Sequence, residues 1–325
     1  MNKSSAILVT AVGALIGQGI ARALRKDVPE CRVIGMDRGS NIYGASLCDK
    51  WHQKPCREDS PEYLPWLRRV IEDENISLIL PGIEDDVYYF HENRRILESW
   101  PARIALNNPS CIEAGKDKWT QHETLAKAGV MTIPSSLVTD WERLNESLGE
   151  PPYVIKPRRG SGSRGIAVIS QKGDLDDHLR HGGADFIMQK RVGNDDEEYS
   201  VGFFGYGDGT GSDLIVLKRR LWNGMTWLAE SVAAQDGLAS TCAAITKAFR
   251  PLGPTNYQFR RDRENWFLLE MNPRFSSSTA MRAGFGFNEP LMCVQHYLSG
   301  VSRPCPGPIK HGVCQRMIME HFVLS

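Results

Sequence analysis

The sequence predicts an α/β domain followed by a larger α+β domain. In the first hundred residues, short apolar runs alternate with amphipathic segments, as in β-α-β units that build a parallel sheet. In the second half of the chain, strand-like runs follow one another with few helices between them, which favours an antiparallel sheet. A chain of 325 residues is long enough for two or three such modules and a sizeable core.

A strand and a glycine turn open the first domain. Residues 6–10 form the continuous apolar run of a buried parallel strand, and Gly13, Gly17 and Gly19 lead into a helix. A second predicted strand ends at Asp37, and glycines with such an acid are typical of dinucleotide-binding folds. The glycine spacing is like that of short-chain dehydrogenases, but none of the nine tyrosines begins the Tyr-x-x-x-Lys motif that they need. An NAD(P)-dependent oxidoreductase is therefore one hypothesis, and tight strand–helix packing is the alternative explanation of the glycines.

Three consecutive acids follow a later strand of this domain. The predicted strand 77–80 leads through a Pro-Gly pair to Glu84, Asp85 and Asp86. Ligands bind at the carboxyl ends of strands in open α/β sheets, so Glu84 and Asp85 are candidates for recognising a substrate amine. Capping of the helix that we expect to begin near Asp86 also explains at least one of these acids. A strand over 102–106 closes the domain at about residue 108.

Basic and glycine-rich segments begin the second domain. Two short helices are predicted around Lys118, and a later strand ends at Lys156. The basic loop that follows contains Gly160, Ser161, Gly162 and Ser163. Such a loop can bring backbone N–H groups close to phosphates and close as a lid, although a solvated basic turn has the same composition. It is not a P-loop, because the chain contains no G-x-x-x-x-G-K-[ST] sequence.

Further polar residues lie at the ends of the next strands. A short strand over 185–188 runs into Gln189, Lys190 and Val192, and Glu198 begins another strand after an acidic loop. Strands near 212–220 and 226–232 extend an antiparallel sheet, and a helix is expected over about 238–249.

A hairpin near residue 265 carries the oxygen-rich side chains. Residues two apart in a strand point the same way, so strict alternation places Glu270 and Asn272 on the face that Trp266 and Leu268 share. Pairing across the hairpin brings Gln258 near these two residues. Amide and carboxylate oxygens suit Mg²⁺, and the following Arg274 suits phosphate. A hairpin whose polar residues bond to one another is the alternative.

Composition and charge exclude several classes of protein. Lysine plus arginine equal aspartate plus glutamate at 39 each, so the bulk charge does not indicate binding to nucleic acid or to an anionic membrane. The eight cysteines contain no C-x-x-C pair, which favours reduced thiols over disulfides or a zinc site. Glycines interrupt the apolar run near the first residue, so it resembles a strand and helix more than a signal peptide. We expect a cytoplasmic protein with no membrane segment.

Taken in order, these motifs resemble the ATP-grasp superfamily, most closely a single synthetase unit of the carbamoyl-phosphate synthase large chain. The resemblance implies a Rossmann-like pre-ATP-grasp domain over 1–108 and an ATP-grasp domain of two subdomains over 109–305. It also implies a lid subdomain at about 135–192 and a C-terminal strand or tail over 306–325. The specific signal is the ordered set Lys118, Lys156 with its loop, Gln189-Lys190-x-Val192, Glu198, Gln258 and Glu270-x-Asn272-Pro273-Arg274.

The resemblance also assigns roles. Lys118 and Lys156 would contact ATP phosphates under the Gly160–Ser163 loop, Gln189 to Val192 would bind adenine, and Glu198 would bind the ribose. Gln258, Glu270 and Asn272 would hold Mg²⁺, with two ions expected and Mn²⁺ able to substitute. Arg274 would act with Lys156 as a catalytic group on the transferred phosphoryl. Gln189 and Gln258 depart from the glutamates usual at those positions, and the neutral Gln258 is the weaker metal ligand.

The implied activity is an ATP-dependent carboxylate–amine ligase that forms an acyl phosphate and releases ADP and phosphate. Its partners would be small-molecule carboxylates and amines, with Arg282 a candidate for binding a carboxylate or else a surface residue. A homodimer is compatible with the sequence, which does not determine the oligomeric state. Bicarbonate or carbamate phosphorylation, as in carbamoyl-phosphate synthase, is an alternative within the superfamily. The NAD(P)-dependent oxidoreductase and a non-catalytic nucleotide sensor are alternatives from other classes.

Overall fold

The described residues form three β-sheets. The computed structural model describes residues 5–40, 42–160, 165–181, 185–318 and 320–322. The first sheet is parallel, has the order β3-β2-β1-β4-β5, and consists of β1 (Ala6–Thr10), β2 (Arg32–Asp37), β3 (Lys50–Gln53), β4 (Ile76–Leu80) and β5 (Arg103–Ile104). This sheet confirms the α/β organisation of the first domain, while the more specific Rossmann-like assignment stays a prediction.

Helices cover both faces of the parallel sheet. The helices of this part of the chain are α1 (Leu15–Asp27), α2 (Tyr63–Asp73), α3 (Glu84–Glu92) and α4 (Arg94–Leu97), with a 3₁₀ turn at Tyr43–Leu47. One apolar cluster joins α1 to one face of the sheet, and a second joins α2 and α3 to the other face. Helix α3 begins at Glu84, two residues before the start that the sequence predicts, so all three acids lie in its first turn, where the helix dipole favours negative charge.

Tight packing accounts for the glycines after β1. A Cβ at Gly17 would lie 2.3 Å from the carbonyl oxygen of Ala11, and one at Gly44 would lie 1.7 Å from that of Val12. The N–H of Gly13 donates to Asp37 Oδ2 at 2.8 Å, so the acid at the end of β2 closes the glycine turn. These contacts favour the packing explanation of the glycines over a bound dinucleotide.

A small antiparallel sheet forms a separate layer. It has the order β6-β9-β7-β8 and consists of β6 (Ser135–Ser136), β7 (Tyr153–Pro157), β8 (Ala167–Ile169) and β9 (Phe186–Lys190). With α7 (Trp141–Leu148) and α8 (Lys172–His181) it encloses its own apolar cluster. These elements coincide with the predicted lid range, and α5 (Pro109–Lys116) and α6 (Lys118–Lys127) precede them as two short helices around Lys118.

The third sheet is antiparallel and has six strands. Its order is β14-β13-β10-β11-β12-β15, and its members are β10 (Glu198–Tyr206), β11 (Ile215–Trp222), β12 (Met225–Val232), β13 (Leu252–Asp262), β14 (Asn265–Asn272) and β15 (Gly312–Gln315). The accompanying helices are α9 (Leu238–Phe249), α10 (Thr279–Gly284) and α11 (Glu289–Tyr297). Strand β15 pairs with β12, so the predicted tail contributes an edge strand to this sheet.

A β-bulge in the β13–β14 hairpin changes which side chains share a face. Gln258 pairs with Glu270 as predicted, but Phe259 pairs with Leu268, which leaves Leu269 as an extra residue. The predicted alternation is therefore wrong for Trp266, which is buried in the core behind the sheet. The extra residue lets Glu270 line the cleft on the opposite face.

The parallel sheet and the six-stranded sheet share one apolar core. Ile7 and Val9 of β1 belong to the same cluster as Phe204 of β10 and Phe287, with α1 and α11 between them. All eight cysteines are unpaired, in agreement with the expectation of free thiols. Within the described ranges, no helix combines the length and hydropathy that a membrane span requires.

Candidate active site

A cleft of about 830 Å³ is lined by residues of the four-stranded and six-stranded sheets. Its walls include ten of the residues that the sequence singles out, namely Lys118, Lys156, Gly160, Gln189, Lys190, Val192, Glu198, Gln258, Glu270 and Arg274. Ser161, Gly162 and Ser163 lie outside the described residues, so their predicted role at the phosphates stays a prediction. Residues from distant parts of the sequence thus meet in one cavity of the size that holds a cofactor.

One end of the cleft is apolar and lies beside β9. Ile133, Val154 and Val168 line this end, next to the chain that leaves β9. Gln189 is buried, and its Nε2 donates to Ser135 Oγ at 2.8 Å, which fixes β6 to the sheet. Because the amide nitrogen of Gln189 already has this partner, a planar ring bound at this end would contact the backbone after Gln189 and the apolar walls.

Two lysines and one acid form the middle of the cleft. Lys118 Nζ donates to the carbonyl of Gly160 at 2.9 Å and lies 3.8 Å from Glu270 Oε1. Lys156 is buried, and its Nζ donates to the carbonyl of Leu269 at 3.4 Å. Burial lowers the pKa of Lys156 to about 8, although the charge of Glu270 opposes this shift, and the charge of Lys118 adds to it. Two ammonium groups held this close together suit a polyphosphate.

An ion pair positions both lysines. Asp117 caps α6 by accepting from the N–H of Trp119 at 2.9 Å, and Arg158 Nε donates to the same carboxylate at 3.1 Å. The N–H of Lys118 also donates to the carbonyl of Arg158 at 3.0 Å. Since Arg158 follows β7, these contacts hold the start of α6 beside the end of the strand that carries Lys156.

The predicted metal ligands do not form a uniform set. Glu270 is the only carboxylate among them, and Asn272 is buried with an Nδ2 that has no partner in the described part of the chain. Gln258 Oε1 accepts a hydrogen bond from Arg219 Nη2 at 2.8 Å. The carboxylate of Glu270 and the side-chain oxygen of Asn272 are ligands of the kind that a hard cation takes, whereas the oxygen of Gln258 already accepts from a guanidinium. Among the described residues, no group of three or more His, Cys, Asp and Glu side chains suits a metal ion.

Glu198 has two guanidinium partners that its predicted role at the ribose does not require. Its carboxylate accepts from Arg219, and Arg260 Nη2 donates to Glu198 Oε2 at 3.1 Å. All three side chains lie beside the cleft and are largely buried, so they form a fixed cluster at its floor.

Known proteins share this sequence pattern and this fold. A family model described as "ATP-grasp in the biosynthetic pathway with Ter operon" matches residues 187–319. A probable alpha-L-glutamate ligase of Xylella fastidiosa (strain M12) is 25% identical over 217 residues, which cover 62% of this chain and 70% of that protein. The N5-carboxyaminoimidazole synthetase of Staphylococcus aureus complexed with ADP has a TM-score of 0.75 at 18% identity, covering 97% of this chain and 82% of that one. Residues 187–319 thus match an ATP-grasp family, and the chain has the fold of this solved structure over 97% of its length.

A second solved structure has the same fold. The L-amino acid ligase from Bacillus licheniformis has a TM-score of 0.69 at 15% identity, covering 93% of this chain and 78% of its own. Both solved structures extend over the parallel sheet as well as the cleft. The resemblance found in the motifs is therefore confirmed at the level of the superfamily.

The structure places the predicted substrate residues in positions other than those that the sequence predicts. Arg274 Nε donates to Glu84 Oε2 at 3.0 Å, and Tyr88 donates to Glu84 Oε1 at 3.0 Å. Although burial favours its protonated form, the Arg274 guanidinium holds the pKa of Glu84 below its usual value. Glu84 is thus the ion-pair partner of Arg274, which lines the cleft, and is not an unpaired carboxylate. Asp85 is exposed to solvent, and neither acid lines the cleft itself.

Asp86, the third of these acids, lies in the interior of the first domain. Its side chain is completely buried and accepts from the hydroxyl of Thr10, and Lys54 Nζ lies 3.7 Å from its Oδ1. Burial raises the pKa of Asp86 to about 6. This acid holds β1 against the start of α3.

The predicted role of Arg282 in binding a substrate carboxylate is not supported. Its side chain is completely buried, so it is not a surface residue either. Its Nη1 donates to Glu289 Oε1 at 2.9 Å, and its Nη2 donates to Ser200 Oγ at 2.9 Å. A second bond from Nη2 reaches Asn256. Since Ser200 and Asn256 line the cleft, Arg282 supports the floor from behind.

Sequence reasoning missed several residues of the cleft. They are Ile16 from the glycine turn and Arg219, Arg220, Leu221 and Met225 from the β11–β12 hairpin. The basic run Lys218-Arg219-Arg220 was the available signal, because alternation in a strand directs at least one of three consecutive residues to each face.

Proposed function

We propose that this chain is an ADP-forming ligase that joins a small-molecule carboxylate to an amine through an acyl phosphate. The observation that carries the proposal is that one cleft combines two lysines, the acid Glu270 and Arg274 beside an apolar end. The curated relative is named as an alpha-L-glutamate ligase, and one structural neighbour is an L-amino acid ligase. Both names agree with the formation of an amide bond.

ATP binds with its base at the apolar end and its phosphates at the lysines. Ile133, Val154 and Val168 enclose the adenine, and the backbone after Gln189 supplies its hydrogen bonds. Glu198 is near enough to the middle of the cleft to accept from the ribose hydroxyls. Phosphoryl transfer needs positioning and charge neutralisation more than covalent help from the protein, and these groups supply both.

Lys118 and Lys156 hold the phosphate chain, and Glu270 with Asn272 binds Mg²⁺. When bound, the ion neutralises phosphate charge and polarises the transferred phosphoryl group. The carboxylate of Glu270 lies 3.8 Å from Lys118 Nζ, so the acid also orients the ammonium group of Lys118 that contacts the nucleotide.

The reaction proceeds in two displacements. A carboxylate oxygen of the substrate attacks the γ-phosphorus, the bond from that phosphorus to the β–γ bridging oxygen breaks, and ADP leaves. The amine nitrogen then attacks the acyl carbon, the acyl–oxygen bond breaks, and inorganic phosphate leaves as the nitrogen loses a proton. Arg274 stabilises charge on the transferred phosphoryl group after Glu84 releases it.

Arg220 is the candidate for binding the carboxylate substrate. It is exposed and lines the cleft, and in the described part of the chain it has no carboxylate within ion-pair distance. Arg219, Arg260 and Arg274, by contrast, already have acidic partners. Leu221 and Met225 lie on either side of the hairpin turn next to Arg220, and they favour an acid with an apolar body.

A product screen tests this function. The protein is incubated with ATP, Mg²⁺ and pairs drawn from amino acids and other carboxylates, and the nucleotide product is identified. ADP and phosphate released only when acid and amine are both present support the proposal, and AMP with pyrophosphate would refute the acyl phosphate. An arm with bicarbonate and ammonia alone tests the carbamoyl-phosphate alternative, and an NADH titration tests the oxidoreductase.

We also propose that the enzyme acts in the cytoplasm on small molecules and forms a homodimer. Free thiols and a requirement for ATP suit that compartment. Sedimentation analysis of the full chain measures the oligomeric state directly, and a monomer at micromolar concentration would contradict the dimer.

A further inference from the structure

The floor of the cleft contains a cation where the superfamily pattern leads us to expect a metal ligand. In the six-stranded sheet, Ser200 of β10 pairs with Gln258 of β13, and Gln258 pairs with Glu270 of β14. Arg219 lies on β11, on the far side of β10 from Gln258. Its side chain crosses β10 and donates to Gln258 Oε1 at 2.8 Å.

This contact removes the oxygen that Gln258 would offer to a metal. An amide oxygen that accepts from a guanidinium lies beside a positive charge, and like charges in a buried site repel strongly. A glutamate at the same position would form an ion pair with Arg219 and neutralise it. With the neutral Gln258, Glu198 is the acidic partner of Arg219, and the floor has no second carboxylate paired across the strands with Glu270.

Arg219 is held rigidly and retains unused donors. It is only 8% exposed, and its Nη2 bonds to both Glu198 and Gln258. Its Nε is buried without a partner, and its Nη1 makes no hydrogen bond within the described part of the chain. Arg260 shares the carboxylate of Glu198 and also pairs with Asp195 at 2.9 Å, so the donors of Arg219 that no carboxylate uses are what remains for a ligand. A buried guanidinium with free donors beside two lysines suits an anion.

We propose that Arg219 binds the polyphosphate directly, in place of a second divalent cation. The site then holds one divalent ion, on Glu270 and Asn272, and not the two that the resemblance implies. This inference rests on the proposed binding of ATP in the cleft, and it narrows the function by making Arg219 a group that contacts the nucleotide.

Counting bound Mn²⁺ tests the inference without measuring activity. Mn²⁺ takes the oxygen ligands that suit Mg²⁺, and free Mn²⁺ is quantified by its electron paramagnetic resonance signal. The full chain is titrated with Mn²⁺ at saturating AMP-PNP, and we expect one ion per chain. Two ions per chain would overturn the inference while leaving ATP binding intact, whereas absence of AMP-PNP binding in calorimetry would refute the proposed function itself.

A paired substitution restores the second ion. In the Arg219→Gln/Gln258→Glu variant, the floor loses a guanidinium and gains a carboxylate next to Glu270, so we expect two Mn²⁺ per chain. Glu198 keeps Arg260 as a partner at 3.1 Å, which limits the damage to folding. A folded double variant that still binds one ion would show that Arg219 does not stand in for the second.

Single variants separate charge from shape. Arg219→Lys keeps the charge, and we expect it to bind one Mn²⁺ and to hold AMP-PNP within a few-fold of the parent. Arg219→Gln loses a charged contact to phosphate, and we expect its AMP-PNP Kd to rise at least about tenfold. Thermal unfolding of each variant checks its fold, and equal AMP-PNP affinity in Arg219→Gln and the parent would exclude contact with the nucleotide.

Discussion

Raising the pH from 7.5 to 9.5 should weaken ATP binding by about 25-fold through the titration of Lys156. Burial lowers the pKa of this lysine from its ordinary value of 10.5 to about 8 in the free protein. With a pKa near 8, the protonated fraction falls from about three-quarters at pH 7.5 to about 3% at pH 9.5. Since only the ammonium form attracts phosphate, binding at high pH must first restore the proton, and the affinity falls by the ratio of the two fractions.

Isothermal titration calorimetry of Mg·ATP at four or five pH values measures this dependence. Lys156→Arg is the matched control, because a guanidinium stays protonated throughout the range and its Kd should be nearly independent of pH. Wild-type protein that binds ATP equally well at pH 7.5 and 9.5 would refute either the lowered pKa or the contact with phosphate. A Lys156→Arg variant with the same steep dependence would assign the titration to another group.

Three further predictions test the metal, the substrate and the fold. Glu270→Gln should abolish the strengthening of ADP binding by Mg²⁺, because the carboxylate ligand is lost; calorimetry with and without Mg²⁺ measures this, and an unchanged Mg²⁺ effect would contradict the metal assignment. Arg220→Ala should raise the KM for the carboxylate substrate by about 10- to 150-fold and leave the KM for ATP unchanged. Arg220→Lys keeps the charge and should raise the KM for the carboxylate less. Equal changes in both KM values would contradict the assignment. Gly17→Ala should destabilise the protein by about 1–3 kcal/mol, because its Cβ would lie 2.3 Å from a carbonyl oxygen. Gly173→Ala, in another helix and with nothing within 4 Å of the new Cβ, should be neutral or stabilise by up to about 1 kcal/mol, as urea unfolding would measure.

Short-range sequence patterns predicted most of the fold and many of the residues that line the cleft. Helix α9 has the bounds that its periodicity predicts, and α5 and α6 flank Lys118 as expected. The motif residues that line the cleft were identified from their order along the chain, and Lys156, Gln189, Glu198 and Glu270 also stand at or near the ends of strands. Such patterns depend on a few neighbouring residues, so they can be recognised without knowledge of the tertiary structure.

Features that depend on pairing between distant strands could not be predicted in this way. The bulge at Leu269 arises from the register between β13 and β14, and nothing in strict alternation marks it. The contact of Arg219 with Gln258 crosses a third strand, and the burial of Arg282 depends on Glu289 and on the underside of β10. In each case the residue or strand that determines the contact lies far away in the sequence or on the opposite side of a sheet.

The shared core of the parallel and six-stranded sheets limits which segments of the chain can be exchanged with those of related proteins. Ile7, Val9, Phe204 and Phe287 lie in one apolar cluster, so a chimaera that exchanges residues 1–108 must also reproduce the surface formed by β10 and α11. The four-stranded sheet has an apolar cluster of its own, within residues 144–188. Exchange of that layer alone leaves the apolar core of both larger sheets intact, so the four-stranded layer is easier to exchange than residues 1–108.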